Sequence, residues 1–99
     1  YYVYIVANRY MNMIYIGVTN DLIRRIGEHY DGRVPGFSKK FNCKYLVYYE
    51  VYDDIRHAIS REKVLKNFRR DKKNKLISKK NPDWKFLNEW INKVDSRYF

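Results

Sequence analysis

The sequence has little of what stabilises small secreted proteins or anchors proteins in membranes. It contains a single cysteine, Cys43, which excludes an internal disulfide and a cysteine-based zinc site. It has no run of about 18 apolar residues, so no segment is expected to span a bilayer. The apolar stretch Tyr1–Ala7 is too short for the core of a signal peptide. We therefore expect a cytoplasmic protein without a membrane partner.

Acidic residues are also scarce relative to basic ones. The chain has 11 Asp and Glu against 21 Lys and Arg, a net charge of +10. An excess of this size predicts an anionic partner, with nucleic acid as the first choice and an anionic membrane surface as the second. The 99 residues, 45% of them hydrophobic, are expected to form one domain over residues 1–99 with a small core.

Three short runs of β-branched and aromatic residues predict strands, at Tyr1–Ala7, Met13–Val18 and Lys44–Tyr52. The polar sequence "NRYMN" between the first two predicts a hairpin. The segment "DGRVPGFSKKFN" contains two glycines and a proline, and it is expected to be a loop. The predicted fold class is therefore α+β, a small three-stranded antiparallel sheet flanked by helices.

Helix start signals lie between and after these strands. Residues 19–21 predict a helix running to Tyr30, and Asp53 or Asp54 predicts a second running to about Arg69. The segment "DKKNKLISKK" predicts a short third helix. Asn81 followed by Pro82 predicts the start of a fourth. Its apolar stripe would comprise Trp84, Leu87, Trp90, Ile91 and Val94.

The first helix carries two arginines whose positions differ on the helical wheel. A step of about 100° per residue predicts a core stripe formed by Leu22, Ile23, Ile26 and Tyr30. Arg24 and Glu28 are predicted to point to water. Arg25 and His29 lie one turn apart and flank the stripe, where the helix meets the sheet. From this pattern alone, a solvated flank is favoured over an active site.

The second helix places a carboxylate on its apolar side. Glu62 lies near Ile55 and Ala58 on the wheel, and a carboxylate on an apolar face must be paired or must hold a metal. A salt bridge to Lys66, one turn further on, is the simpler interpretation and is slightly favoured.

These residues together resemble the GIY-YIG nuclease family. The resemblance rests on "VYI" at Val3–Ile5, "YIG" at Tyr15–Gly17, Arg25 eight residues after Gly17, His29 one turn later, and Glu62 on the next helix. It covers nearly the whole chain. The segments "GVTNDLIRRIGEH", "REKVLKNFRRDKKNKLI" and "NPDW" are similar to small stand-alone bacterial members, and the domain resembles the catalytic domain of the excinuclease C subunit. Val3 replaces the first glycine of the family name, a scaffold position.

The resemblance implies a metal-dependent endonuclease that hydrolyses phosphodiester bonds in DNA, structure-selective and related to repair. One divalent metal, Mg²⁺ or Mn²⁺, would be held by Glu62. Tyr4 and Tyr15 would serve the nucleophilic water, and Arg25 would hold the scissile phosphate. The sequence does not decide which tyrosine is the base, although Tyr4 is preferred. His29 occupies a position where family members carry histidine or tyrosine.

One further position, Asn81, resembles the late asparagine of the family. A helix-capping role explains Asn81 equally well.

A basic stretch predicts the nucleic-acid-binding surface. Residues 69–80 read "RRDKKNKLISKK", seven basic residues in twelve, which favours contacts to phosphates over a merely solvated helix. A glycine at a strand end permits close backbone approach and would leave space for a phosphate. The predicted nucleic-acid-binding residues are Gly17, Arg69, Arg70, Lys72, Lys73 and Lys75.

Two functions remain open from the sequence. The first is an endonuclease, and the alternative is a non-catalytic nucleic-acid-binding module that retains the nuclease fold. A pure binder has no use for Glu62 in a basic cleft, where a carboxylate repels phosphate. We therefore expect Tyr4, Tyr15, Arg25, His29 and Glu62 to converge in one cleft. The sequence does not decide between DNA and RNA. It also leaves open whether the chain has a protein partner or forms a homodimer.

Overall fold

The computed structural model of the chain describes the backbone of residues 1–95 and the side chains of residues 1–92. Three strands, β1 (Tyr2–Ala7), β2 (Ile14–Thr19) and β3 (Tyr45–Val51), form one antiparallel sheet in the order β2-β1-β3. Helices flank this sheet on both faces. The predicted α+β class with a three-stranded antiparallel sheet is therefore confirmed.

Strand β1 lies at the centre, and its alternating side chains divide the core into two clusters. Val3 and Ile5 face one cluster, whereas Tyr4 and Val6 face the other. Each of these residues has no solvent-exposed surface. In the register, Tyr4 lies between Gly17 of β2 and Tyr49 of β3. Tyr4 therefore lies inside the sheet, with a neighbouring strand on each side.

Within residues 1–95, five helices cover the sheet: α1 (Leu22–Tyr30), α2 (Phe37–Lys40), α3 (Ile55–Lys66), α4 (Arg70–Lys80) and α5 (Asn88–Asp95). Helices α3 and α4 pack on the face that contains Val3, and α1 and α5 pack on the face that contains Tyr4. Along residues 1–95, no helix combines the length and the hydropathy needed to cross a bilayer.

Two predicted helix starts are confirmed by their caps. The Asp21 carboxylate accepts a hydrogen bond from the Arg24 amide at 3.1 Å, and Asp54 accepts one from the Arg56 amide at 2.9 Å. Both bonds satisfy amides that the first helical turn leaves without an internal partner. Helix α3 ends at Lys66 rather than near Arg69, because the chain turns at Asn67 before α4 begins.

Two other local predictions are wrong. The segment predicted as a loop contains α2, and the last helix begins at Asn88 rather than at Pro82. Asn81 closes α4 instead, and its side chain accepts the Lys85 amide, which forms a turn. Trp84 has a left-handed φ of 50° that no α-helix contains.

The predicted apolar stripe is divided accordingly. Trp84 and Leu87 precede α5, whereas Trp90 and Ile91 lie on it. The side chain of Val94 lies outside the described residues.

Candidate active site

The centre of the site is a buried hydrogen bond between β1 and α1. The Tyr4 hydroxyl lies 2.8 Å from Nε2 of His29, and the two rings meet edge to face at 5.4 Å. His29 is only 2% exposed, whereas Tyr30, which was predicted to face the core, is 52% exposed. The helical wheel therefore assigned the last turn of α1 wrongly. His29 is buried because it finds polar partners inside.

The second ring nitrogen of His29 fixes its tautomer. Nδ1 of His29 lies 2.6 Å from Oγ of Ser38, and the Ser38 hydroxyl donates to the Cys43 carbonyl at 3.3 Å. A serine has one hydroxyl proton and a carbonyl only accepts, so Nδ1–H of His29 donates to Ser38. Nε2 is then unprotonated and accepts the Tyr4 proton. Sequence reasoning missed Ser38, which lies in the segment predicted as a loop.

Burial sets the protonation of this pair. Burial raises the pKa of Tyr4 to about 12, against a lowering by hydrogen bonding and charge from Arg25. Burial and, to a smaller extent, the positive charge of Arg25 lower the pKa of His29 to about 4. At neutral pH the pair therefore consists of a protonated phenol and a neutral imidazole.

Arg25 connects this pair to the surface of α1. Its guanidinium pairs with Glu28 at 3.2 Å, and hydrogen bonds to Tyr4 and Glu28 raise the pKa of Arg25. Arg24 pairs with the other oxygen of Glu28 at 3.3 Å and is the more exposed of the two arginines. Arg24 points to water as predicted. Glu28 was predicted to do the same, yet it is half-buried because it bridges both arginines.

Gly17 gives Tyr4 the space to reach His29. A Cβ atom at Gly17 would lie only 2.6 Å from Cζ of Tyr4. The space that the sequence suggested for a phosphate is therefore occupied by the Tyr4 ring. The missing side chain at Gly17 lets the phenol lie across the neighbouring strand.

Tyr15 contacts His29, and Lys66 connects Tyr15 to Glu62. The half-buried Tyr15 ring is 5.4 Å from the His29 ring, and Nζ of Lys66 lies 5.8 Å from the centre of the Tyr15 ring. Lys66 also pairs with Glu62 at 3.4 Å, the salt bridge that the spacing predicted. After burial, the charge of Glu62 is one of the smaller causes of the raised pKa of Tyr4. Glu62 therefore lies within electrostatic range of the buried pair.

The five predicted residues are thus linked, but not equally. Tyr4, Tyr15 and Arg25 each interact with another member of the set directly, and His29 joins both tyrosines. Glu62 is connected through Lys66 and through its charge.

Comparison with known proteins shows the family of this chain. A family model of the GIY-YIG catalytic domain matches residues 1–76, which include all five candidate residues. The chain belongs to the GIY-YIG family. Its domain is therefore of nuclease type, with nucleic acid as the class of substrate and a divalent metal as the usual requirement of the family.

Three relatives of this GIY-YIG chain are named UPF0213 proteins. The chain is 37% identical over 78 residues to one from Staphylococcus saprophyticus, covering 79% of this chain and 94% of the relative. It is 36% identical over 76 residues to one from Haloquadratum walsbyi, covering 77% and 84%. A relative from Clostridium perfringens is 37% identical over 79 residues, covering 80% and 84%. No solved structure gives a significant match.

The metal requirement of the family can be compared with the donors present. Among the residues whose side chains are described, no group of three or more His, Cys, Asp or Glu could hold a metal ion. One carboxylate, that of Glu62, is 17% exposed at the edge of the site. This donor set suits Mg²⁺, which keeps several waters and takes other ligands from substrate phosphates. It does not suit zinc bound by His and Cys.

The basic helix α4 of the GIY-YIG domain has a structural contact that the sequence did not reveal. Arg70 donates to the carbonyls of Met11 and Asn12 at 3.0 and 2.8 Å, which fastens α4 to the β1–β2 loop. Arg69, Lys72 and Lys75 are exposed, and Lys73 is half-buried. These four side chains remain candidates for phosphate contact.

Asn81 has buried partners of its own. Its side-chain amide donates to the carbonyls of Val47 and Lys85, each at 2.9 Å. These contacts tie the turn after α4 to β3 and account for Asn81 as a structural residue. Its expected role as the cap of the following helix is wrong, because that helix starts at Asn88.

Proposed function

We propose that this protein is an endonuclease that hydrolyses phosphodiester bonds in DNA. One observation carries the proposal, namely the buried hydrogen bond from the Tyr4 hydroxyl to the unprotonated Nε2 of His29. Phenol is a poor base at its ordinary pKa of about 10. A neutral imidazole that is hydrogen-bonded to the phenol can accept the phenol proton. Tyr4 can then take a proton from water.

The proposed step makes three proton transfers and exchanges one bond at phosphorus. A water beside the phosphate gives a proton to the Tyr4 oxygen while Tyr4 passes its own proton to His29. The water oxygen bonds to phosphorus as the bond between phosphorus and the leaving oxygen breaks. The leaving oxygen takes a proton from solvent, so the products are a phosphate monoester end and a hydroxyl end. Acid–base catalysis of this type contributes about 10²- to 10⁴-fold.

Arg25 controls access to this pair. Tyr4 has no exposed surface, and the nearby Arg25 guanidinium opposes the rise in the pKa of Tyr4 that burial causes. A substrate phosphate would draw Arg25 away, because the guanidinium fork matches phosphate oxygens. The same movement would remove one cause of the low pKa of His29, namely the charge of Arg25. Substrate binding thus uncovers Tyr4 and makes His29 a better acceptor.

Glu62 is the proposed metal ligand. A Mg²⁺ or Mn²⁺ ion there would supply positive charge against the developing charge on the phosphate. To bind the ion, Glu62 must be released by Lys66, which pairs with it at 3.4 Å. Lys66 would then be free to contact a phosphate.

One observation favours the alternative, a binding module that retains the nuclease fold. The ion pair with Lys66 satisfies Glu62 as a structural residue would be satisfied. The basic surface of the chain would serve such a module equally well.

The deciding experiment compares wild-type protein with Glu62→Ala on flap, nicked, single-stranded and duplex DNA, with Mg²⁺, Mn²⁺ or chelator. We expect metal-dependent cutting by the wild type and none by Glu62→Ala, which should bind as tightly or more tightly because a negative charge is removed. Asp83→Ala, an exposed acidic control, should cut normally. Wild-type protein that binds but cuts none of these substrates would establish the binding module.

A further inference from the structure

We infer that the surface formed by α2 and the end of α1 binds an unpaired strand of nucleic acid beside the candidate active site. This strand-binding surface consists of Tyr30, Phe37, Lys40, Phe41 and Lys44. The inference deepens the proposed function and rests on it, because the bound strand would be part of the substrate.

The surface exposes the aromatic rings of Tyr30 and Phe37. Tyr30 is 52% exposed, and Phe37, in the four-residue helix α2, is 45% exposed. The Phe37 and Phe41 rings lie 4.6 Å apart with a tilt of 48°. Exposed rings grouped in this way mark an interaction site more often than a packing fault.

Neighbouring rings hold Tyr30 in place. Its ring meets Tyr45 edge to face at 6.1 Å, and Tyr45 is stacked on Phe86 at 4.2 Å with only 14° between the planes. Rings fixed in this way lose little entropy when a base stacks on them. Each stacked base contributes about 1–3 kcal/mol by alanine substitution.

Lysines lie beside these rings. Nζ of Lys40 is 5.4 Å from the centre of the Phe41 ring, and Nζ of Lys44 is 5.8 Å from the centre of the Tyr30 ring. The nearby Asp31 is paired with Arg33 at 2.8 Å, which offsets its negative charge. Rings alternating with cations match a single strand, in which bases alternate with phosphates.

The same short helix contacts the candidate active site. Ser38 follows Phe37 directly, and its hydroxyl accepts Nδ1–H of His29 at 2.6 Å. A strand lying on α2 would therefore pass close to the Tyr4–His29 pair. Duplex DNA fits this surface less well, because its bases are stacked on each other and offer no free faces.

The test measures binding in chelator, so that it does not depend on cutting. Fluorescent oligothymidine and a duplex of equal length are titrated with wild type, Phe37→Ala, Tyr30→Ala and the control Tyr10→Ala. Tyr10 is 79% exposed and lies on the β1–β2 loop. We expect each of the two test variants to bind the single strand about 5- to 150-fold more weakly. Duplex binding, and all binding by Tyr10→Ala, should change less than about twofold.

Three further variants separate stacking from charge and from folding. Phe37→Trp keeps a ring and should retain single-strand affinity, whereas Phe37→Leu keeps apolar volume and should lose it. Lys40→Ala should lower the slope of log affinity against log salt by about 0.7, and Phe37→Ala should leave that slope unchanged. Thermal unfolding of each variant confirms that it is folded.

Two results would overturn the inference. These are unchanged single-strand binding by Phe37→Ala and Tyr30→Ala, and equal losses on duplex and single strand. Wild type that cuts DNA while Phe37→Ala binds single strands normally would reject this surface and keep the endonuclease. Wild type that binds single strands through Phe37 but never cuts would keep this surface and reject the endonuclease.

Discussion

At the scale of the residue, the site depends on Gly17, which has no side chain. Gly17 lies opposite Tyr4 in the register, and the Tyr4 phenol occupies the volume that a Cβ at Gly17 would need. The hydrogen bond to His29 at 2.8 Å is the contact that this arrangement permits. We therefore expect the addition of one methyl group at Gly17 to lower the rate of cleavage.

We expect Gly17→Ala to reduce cleavage by at least about 10²-fold, because the new methyl group displaces the phenol from His29. The overpacking should also lower the free energy of unfolding by about 1–3 kcal/mol. Gly27→Ala is the matched control. In the described part of the chain, apart from its chain neighbours and the adjacent helix backbone, no atom lies within 4 Å of the position that a Cβ would take at Gly27. Alanine in a helix is more stable than glycine by about 0.5–1 kcal/mol. Normal cleavage by Gly17→Ala would contradict the role given to Tyr4.

The neighbouring arginines of α1 give a second test at this scale. Arg25→Ala should lose cleavage and some binding, because Arg25 contacts Tyr4 and is proposed to hold phosphate. Arg24→Ala removes the same charge and also breaks a pair with Glu28, but it lies on the solvent side. Its cleavage rate should stay within about threefold of wild type. Equal losses in single-turnover cleavage would refute the division of roles between the two arginines.

At the scale of the element, a polar cluster fastens β3 to α3, the helix that carries Glu62. The Glu50 carboxylate accepts two hydrogen bonds from the Arg61 guanidinium, at 3.0 and 3.1 Å. It also accepts the hydroxyls of Tyr48 and Tyr52. Burial alone would raise the pKa of Glu50, but these bonds outweigh it and hold the pKa below the ordinary value of 4.5.

The sign of the pH dependence follows from that lowered pKa. The stabilisation is present above the unfolded pKa of Glu50 and is lost as the pH falls through the folded one. Urea unfolding at a series of pH values should show stability falling below about pH 4.5. Glu50→Gln should lower stability at neutral pH by roughly 3 kcal/mol, as for a broken buried pair. Glu50→Gln should also reduce the loss of stability at acidic pH. If stability fell with pH in Glu50→Gln as steeply as in the wild type, Glu50 would be excluded as the cause of that loss.

At the scale of the whole molecule, the net charge of +10 is the dominant feature. Such a charge favours anionic partners at long range but does not say which surface they contact. Helix α4 packs through Ile77 on the sheet face opposite to Tyr4. A duplex contacting both α4 and the candidate active site would therefore have to extend along the edge of the sheet.

We expect replacement of Lys72, Lys73 and Lys75 by alanine to weaken DNA binding and lower its salt dependence. Each lost phosphate contact removes about 0.9 from the log–log slope on duplex DNA. The control replaces Arg9, Lys63 and Lys85, three exposed basic residues outside the stretch 69–80, so that the change in net charge is the same. Equal slopes for the two variants, measured by fluorescence anisotropy, would mean that the effect is one of total charge only.

Part of this molecule was determined by the sequence itself. The strands, the caps at Asp21 and Asp54 and the salt bridge from Glu62 to Lys66 depend on neighbours within a few residues, so local patterns predict them. The basic charge is likewise a property of composition.

Tertiary structure decided the rest. Burial of His29 requires Tyr4 from a strand 25 residues away, and its tautomer requires Ser38 and the Cys43 carbonyl. The late start of α5 depends on Asn81 bonding to β3. A helical wheel weighs each side chain by hydrophobicity alone, so it places His29 at the flank of the core stripe and Tyr30 inside it. Only packing brings together the polar groups that make the opposite arrangement more stable, because a buried polar group is tolerated only where its hydrogen-bond partners are already in place.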